Sequence, residues 1–359
     1  MTTSSTFAIV GGGLAGAKAA EALRDKDFDG HVVLFAAEEH LPYERPPLSK
    51  EYLAGKKELG DFTTASSAWY RDHHVELQLG TEVSAIDPGA HTVSLPDGST
   101  VRYDKLLLAT GSKSRRPPIP GADADRVHYL RTVDDADALN SALVEGSSLA
   151  VVGGGWIGLE VAAGARDRGV NVTVVEMAEL PLMAALGREV GEVFATLHRE
   201  HGVDLRLGAT VHEITTEGGK ATGLKLGDGS TVDADAVLVA VGDIAAAEHP
   251  LFGTRIRTEH WANALKQPAV AVAGMLGRPA EYDELPYFFT DQYDLGMEYV
   301  GHAPDYQKVV FRGDVAKREF TAFWLGDGDR VLAGMNVNIW EGLDDIKAMI
   351  RSRAPLGAA

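Results

Sequence analysis

Cysteine is absent from this 359-residue chain. That excludes disulfides, thiolate metal sites and any redox-active dithiol. Basic charge is scarce: 34 lysines and arginines stand against 52 aspartates and glutamates, a net charge of −18. This balance argues against general binding to nucleic acid or to anionic membranes and leaves room only for a local basic patch. Long apolar runs are missing too, and none approaches the roughly 18 residues of a membrane span. The opening MTTSSTFAIV has neither a basic region nor an extended apolar core, so it does not read as a secretory signal. A cytoplasmic protein is the expectation.

What is present is a repeat. Residues 9–18 read IVGGGLAGAK and residues 151–160 read VVGGGWIGLE. Each is an apolar run opening into G-x-G-x-x-G: Gly11, Gly13 and Gly16, then Gly153, Gly155 and Gly158. A β-rich run ending in an acid follows each, HVVLFAAE to Glu38 and VNVTVVE to Glu176. Further on, SLPDGSTVRYDKLLLATG (94–111) lines up with KLGDGSTVDADAVLVAVG (225–242). Both place a D-G turn between alternating segments, a hairpin signal, and then run into a short apolar strand. The chain therefore holds two copies of one unit: strand, glycine turn, helix, strand with acid, hairpin, strand. The expected fold is α/β, with two Rossmann-like dinucleotide-binding domains. Beyond residue 285 the pattern changes to alternating strands closed by the helical EGLDDIKAMIRSR, which predicts a small C-terminal α+β domain over 286–359.

The special residues of the repeat fit a dinucleotide. A glycine turn between strand and helix lets the backbone approach a pyrophosphate, and the helix N-terminus offers free N–H groups and partial positive charge. An acid at the end of the next strand accepts hydrogen bonds from a ribose. Glu38 lies 22 residues after Gly16, and Glu176 lies 18 after Gly158, close to the expected offset of about 20. Two such units imply two dinucleotides, and a protein that holds two usually passes electrons between them.

The first copy also carries an insertion, LPYERPPLSKEYLAG (41–55). With the two glycine motifs, LLLATG (106–111) and EHWANAL (259–265), it makes the chain resemble the FAD- and NAD(P)H-dependent ferredoxin reductases over nearly its whole length. That group includes the rubredoxin, putidaredoxin and oxygenase-linked reductases. The resemblance implies that the first copy binds FAD, in a discontinuous domain over 1–115 and 243–285, and that the second binds NAD(P)H, over 116–242. It places Arg45 and Lys50 of the RPPLSK string at the flavin, pairs Lys50 with Glu160 as the catalytic residues, and sets His260 and Trp261 beside the ring. Phe289 stands where the family often has tryptophan. The implied cofactor-binding set is Gly11, Gly13, Leu14, Ala15, Gly16, Glu38, Arg45, Lys50, Val83, Ala109, Thr110, Gly111, Gly153, Gly155, Ile157, Gly158, Glu160, Glu176, Gly242, Asp243, His260, Trp261 and Phe289, with no metal site.

The implied activity is transfer of electrons from NADH through FAD to a [2Fe–2S] ferredoxin or rubredoxin-like acceptor serving a monooxygenase or dioxygenase. The lack of cysteine agrees with that exit route, since relatives that reduce a dithiol or a peroxide need a thiol. NADH is expected over NADPH, because Glu176 repels a 2′-phosphate and residues 177–187 contain no arginine or lysine. Two other readings stand beside it: an NADH-sensing interaction module resembling apoptosis-inducing factor, and a flavin binder with impaired turnover. The latter arises from DAVLVAVGDIAAAEHP (235–250), where the end of the second copy's last strand runs directly into the Gly242-Asp243 expected of the FAD domain. A few dozen residues of the family pattern are missing there. One strand cannot serve two sheets, because each sheet needs its own ladder. The preceding hairpin tethers this strand to the second copy, which would leave Asp243 short of the flavin. For docking an acidic ferredoxin, Lys308, Arg312, Lys317 and Arg318 are the candidate basic patch.

Overall fold

The computed structural model describes residues 5–240, 246–251, 254–257 and 260–357. The chain divides into two compact units, each assembled from three separate stretches. The first comprises Met1–Arg45, Glu58–Ser112 and Ile244–Glu284; the second comprises Pro46–Lys57, Lys113–Asp243 and Leu285–Ala359.

In the first unit, strand β1 (Thr6–Val10) leads through the glycine turn into helix α1 (Leu14–Asp25) and returns as β2 (His31–Phe35). With β3 (Val75–Gln78) and the strand Lys105–Leu108 they form a four-stranded parallel sheet, in the order 75–78, 31–35, 6–10, 105–108. Both faces of the inner strands are covered, so TFAIV and HVVLF are apolar almost throughout rather than alternating. The small residues Ala17, Ala19 and Ala20 are fully buried on α1 and let it lie close to its neighbours. Val272, from the helix Trp261–Met275, joins the same core as Ile9 and Leu23.

The second unit repeats this arrangement. Ser148–Val152, helix Trp156–Asp167, Asn171–Glu176, Asp204–Leu207 and Ala236–Val239 make a parallel sheet, extended by a short fifth strand, Val127–His128. The repeat extends to single atoms. The helix-capping glycines have φ/ψ of −84°/−174° at Gly13 and −83°/−176° at Gly155. A Cβ on Gly16 would lie 1.9 Å from Gly11 O, and one on Gly158 would lie 2.2 Å from Gly153 O, so only glycine allows either helix to start so near its strand. The two D-G turns match as well: Asp97 Oδ1 accepts from Ser99 N and Oγ, as Asp228 Oδ1 does from Ser230 N and Oγ.

The strand contested in the sequence sits in the second copy. Ala236–Val239 pairs in parallel with Leu149–Val152. Among the described residues the first sheet ends at Lys105–Leu108, and Gly242 and Asp243 lie outside the described residues. The expected insertion is also divided. Arg45 closes a stretch of the first unit, whereas Pro46–Lys57 packs in the second. There Arg168 Nη1 donates to Leu53 O at 3.2 Å and Tyr52 Oη to Asp137 Oδ1 at 2.7 Å.

The C-terminal stretch forms a five-stranded antiparallel sheet from Tyr287–Gln292, Leu295–Gly301, Lys308–Asp314, Glu319–Leu325 and Val331–Val337. One face buries Met297, Phe320, Trp324 and Met335 together with Leu186, Val190 and Phe194. Trp324 Nε1 donates to Leu186 O at 3.0 Å, so the indole is buried with its polar atom satisfied. Ile346 and Ile350, from the helix Leu343–Ser352, are buried as well.

His198 is the fully buried polar residue on the apolar stripe of helix Arg188–Glu200. Burial drives its pKa from the ordinary 6.5 down to about 4, against the opposing effect of its hydrogen bond to Gln292 Oε1. The unfolded chain therefore binds this proton first. The stability tied to neutral His198 is intact above pH 6.5 and drains away as the pH falls towards 4, a loss of up to about 3 kcal/mol. Urea unfolding between pH 7 and pH 4 should show a steeper loss for the natural chain than for His198→Phe, and parallel curves would contradict the assignment.

Candidate functional site

Each unit carries a cradle at a helix N-terminus. Helices Leu14–Asp25 and Trp156–Asp167 begin without a side-chain cap, so their first N–H groups have no side-chain acceptor. A Cβ built on Gly13 or Gly155 meets nothing within 4 Å. Open space in front of uncapped N–H donors is what a pyrophosphate requires, and the residues present fit one in each copy. Leu14 is buried behind the first cradle, with Ala15 partly exposed beside it; Ile157 is exposed at the second. Ala109 closes the floor of the first, its carbonyl oxygen 2.1 Å from where a Gly11 Cβ would be. Thr110 and Gly111 follow it, exposed, and Val83 packs at the edge of the nearby apolar cluster.

The two strand-end acids are held differently. Glu38 accepts from Tyr43 Oη at 2.5 Å and from Arg45 Nη2 at 2.7 Å. Burial opposes the Arg45 charge, but Tyr43 and Glu38 outweigh it and hold its pKa above the ordinary value. Arg45 thus belongs to the acid of the first copy. Glu176 instead accepts backbone donors, Gly154 N at 2.7 Å and Ala178 N at 2.8 Å. Those bonds fix the carboxylate against the second glycine turn. Each acid keeps lone pairs for ribose hydroxyls.

Lys50 and Glu160 meet, 2.9 Å from Nζ to Oε1, with side chains 9% and 6% exposed. The pair gathers further groups within the second unit. Ser49 Oγ donates to Glu160 Oε2 at 2.5 Å, and Thr290 Oγ1 donates to Oε1 at 2.5 Å. Lys50 Nζ also lies 5.2 Å from the centroid of Phe289, a cation–π distance. Burial pushes the carboxyl of Asp291, two residues on from Phe289, upward, with the nearby Lys50 charge opposing. In the first unit Trp261 Nε1 donates to Glu44 Oε2 at 3.0 Å, and His260 is the N-cap position of its helix.

Sequence reasoning missed Tyr43, Glu44, Ser49 and Thr290. All four sit within two residues of a position singled out in the sequence, but nothing in their type distinguishes them from ordinary turn or strand residues. Thr290 lies 130 positions from its carboxylate and carries no local signal. The candidate basic patch is corrected by the structure. Lys308 pairs with Asp329 at 2.6 Å, Lys317 with Asp314 at 3.5 Å, and Arg318 with both Glu200 and Asp294, while Arg312 covers the Phe323 ring. Neighbouring acids thus offset three of the four positive charges that the sequence alone suggested. Among the described residues no cluster of histidine, aspartate and glutamate is arranged to hold a metal, and no helix is long and apolar enough to cross a membrane.

Comparison with known proteins agrees with this architecture. The profile of the pyridine nucleotide-disulphide oxidoreductase family matches residues 5–259, and that of the reductase C-terminal domain matches 287–359. The ferredoxin–NAD(+) reductase component of the anthranilate 1,2-dioxygenase system of Burkholderia cepacia is 38% identical, over 98% of this chain and 95% of its own. That alignment runs to 387 positions against the 359 residues here, so the relative has at least 28 positions without a counterpart. Putidaredoxin reductase of Pseudomonas putida is 33% identical over 99% of this chain and 94% of its own. The crystal structure of a covalent putidaredoxin reductase–putidaredoxin complex superposes with a TM-score of 0.92 at 32% identity, over 98% of this chain and 94% of the other. Matched across both its α/β repeat and its antiparallel C-terminal sheet, the chain belongs to the pyridine nucleotide-disulphide oxidoreductase family and carries its reductase C-terminal domain.

Proposed function

We propose that this protein is an FAD-dependent NADH:ferredoxin oxidoreductase, supplying electrons to a monooxygenase or dioxygenase through a [2Fe–2S] ferredoxin. The observation that carries the reading is the duplicated cradle, two helix N-termini without a side-chain cap whose capping glycines have open space where a Cβ would point, in a chain without a thiol. Two dinucleotides held by one chain imply transfer between them, and without cysteine the electrons leave to an external acceptor. The relatives' names as ferredoxin reductase components of oxygenase systems support the class of acceptor.

Bound FAD supplies the chemistry of accepting a hydride and releasing electrons one at a time. The protein's own residues do the rest. The N–H groups at Gly13 and Gly155 would hold the two pyrophosphates. Glu38 and Glu176 would orient the adenosine riboses. Lys50 would supply the fixed positive charge that stabilises a reduced flavin, and Glu160 holds that ammonium in place. Phe289 gives the lysine stem and charge an aromatic wall.

Three outcomes follow. Lys50→Met should slow flavin reduction by NADH on the order of tenfold to a hundredfold while changing the NADH Kd little, because the charge acts as the transition state forms. Stopped-flow absorbance reads both quantities, and an unchanged rate would return Lys50 to a purely structural role. Because the substitution strands a buried carboxylate, Lys50→Met/Glu160→Gln is the stability control. Steady-state kinetics should give a higher kcat/KM with NADH than with NADPH. Glu176 would repel a 2′-phosphate, and the cation next in sequence, Arg188, is turned to Glu179. Equal use of both nucleotides would overturn this preference.

The third outcome concerns flavin retention. Among the described residues the first sheet has four strands and the second has five. We expect fewer than one FAD per chain after purification, with activity and melting temperature both rising on adding FAD. Stoichiometric flavin after extensive dialysis would show that the shortened chain still closes its FAD site.

A further inference from the structure

Among the described residues six polar or charged side chains are buried, and five of them form one connected chain: Ser49, Glu160, Thr290, Gln292 and His198. Thr290 and Gln292 lie two apart on strand Tyr287–Gln292 and so share a face. Gln292 Nε2 is 3.2 Å from Thr290 Oγ1, and Gln292 Oε1 is 2.8 Å from His198 Nε2.

The protons in this chain can be placed by elimination. An ionised Glu160 only accepts, so the 2.5 Å contact requires the Thr290 hydroxyl to donate to it. Thr290 Oγ1 has then spent its proton and must accept from Gln292, which turns the amide nitrogen towards Thr290. The amide oxygen therefore faces His198, and His198 Nε2 must carry a proton. Its Nδ1 is buried without a hydrogen-bond partner, as fits a bare, neutral nitrogen. Burial, which lowers the imidazole pKa, favours the same neutral form. Every donor in the series points towards one carboxylate.

We propose that His198, Gln292 and Thr290 are positioning residues: a one-way series of hydrogen-bond donors that fixes the Glu160 carboxylate and, through it, Lys50. His198 sets the amide of Gln292. That amide denies Thr290 any alternative acceptor. Thr290 and Ser49 then clamp the two oxygens of Glu160, and the lysine ammonium is left one well-defined place to sit. Without His198 the amide is free to flip, the threonine proton turns to the amide oxygen, and Glu160 loses a donor. The role assigned to the three is exerted through Glu160 and Lys50, so their effect on flavin reduction is indirect. The inference rests on the reading of Lys50 as the cation that serves the flavin.

The test combines a spectroscopic and a kinetic arm. With 15N-labelled histidine, the imidazole signals lost in His198→Phe should report an Nε2-protonated, Nδ1-bare ring, in protein with or without FAD. An Nδ1-protonated ring would overturn the series of donors. In the FAD-loaded protein, Thr290→Val should lower the limiting rate of flavin reduction by NADH about three- to tenfold, with the NADH Kd held within about twofold. Thr290→Ser should restore the rate, and His198→Phe should reproduce part of the loss. A Thr290→Val rate equal to the natural one, or an equal loss in Thr290→Ser, would overturn the positioning role. Natural protein loaded with FAD but not reduced by NADH would instead defeat the functional reading, while the ring tautomer would still decide the donor series.

Discussion

A carboxylate inside a protein must be matched. Glu160 is 6% exposed, and an uncompensated charge at such a site costs several kcal/mol. Its partners come from widely separated parts of the chain: Ser49 and Lys50 are about 110 residues before it, and Thr290 is 130 after. The requirement therefore ties the PPLSK turn (46–50), helix Trp156–Asp167 and the first strand of the C-terminal sheet into one compact unit. It accounts for the departure of Pro46–Lys57 from the sheet that precedes it in sequence. It also explains why polar residues appear on the otherwise apolar inner face of strand Tyr287–Gln292.

The two copies show how one scaffold supports different surroundings. Their helix-capping glycines coincide within a few degrees and their hairpin turns bond by bond. Their acids diverge. Glu38 is matched by a tyrosine and an arginine, so its setting depends on side chains near the insertion. Glu176 is matched by backbone N–H groups on either side. The hydrogen bonds recorded for the second acid thus come from backbone donors, where the first acid is held by an arginine and a tyrosine.

Much of this was legible in the sequence because the signals are local. Glycines whose Cβ would strike a carbonyl, a D-G turn with a following serine, and an apolar strand ending in an acid each constrain their own neighbourhood. The placement of residues 236–239 could be read for the same reason, from the hairpin just before them. The Lys50–Glu160 pair was accessible only through resemblance, since no spacing rule joins residues 110 positions apart. Thr290, Gln292 and His198 were not legible at all: they are isolated polar side chains on otherwise apolar faces of one strand and one helix, and their meaning depends on Glu160 and on each other across elements. The supposed basic patch failed in the opposite way. Lysines and arginines can be counted in a sequence, but the acids that fold against them cannot.

The first unit is built from three stretches, the last of which ends at Glu284. Val272 completes the core around Ile9 and Leu23. During synthesis, strands Thr6–Val10 and His31–Phe35 thus leave the ribosome long before the helix that covers them. At ordinary elongation rates of about 5–20 residues per second, they wait on the order of ten seconds or more. The unit's contacts are of high sequence separation, a condition for slow folding. The nascent chain therefore presents an incompletely covered parallel sheet through much of translation, and its yield in the cell should depend on chaperones that bind exposed apolar strands.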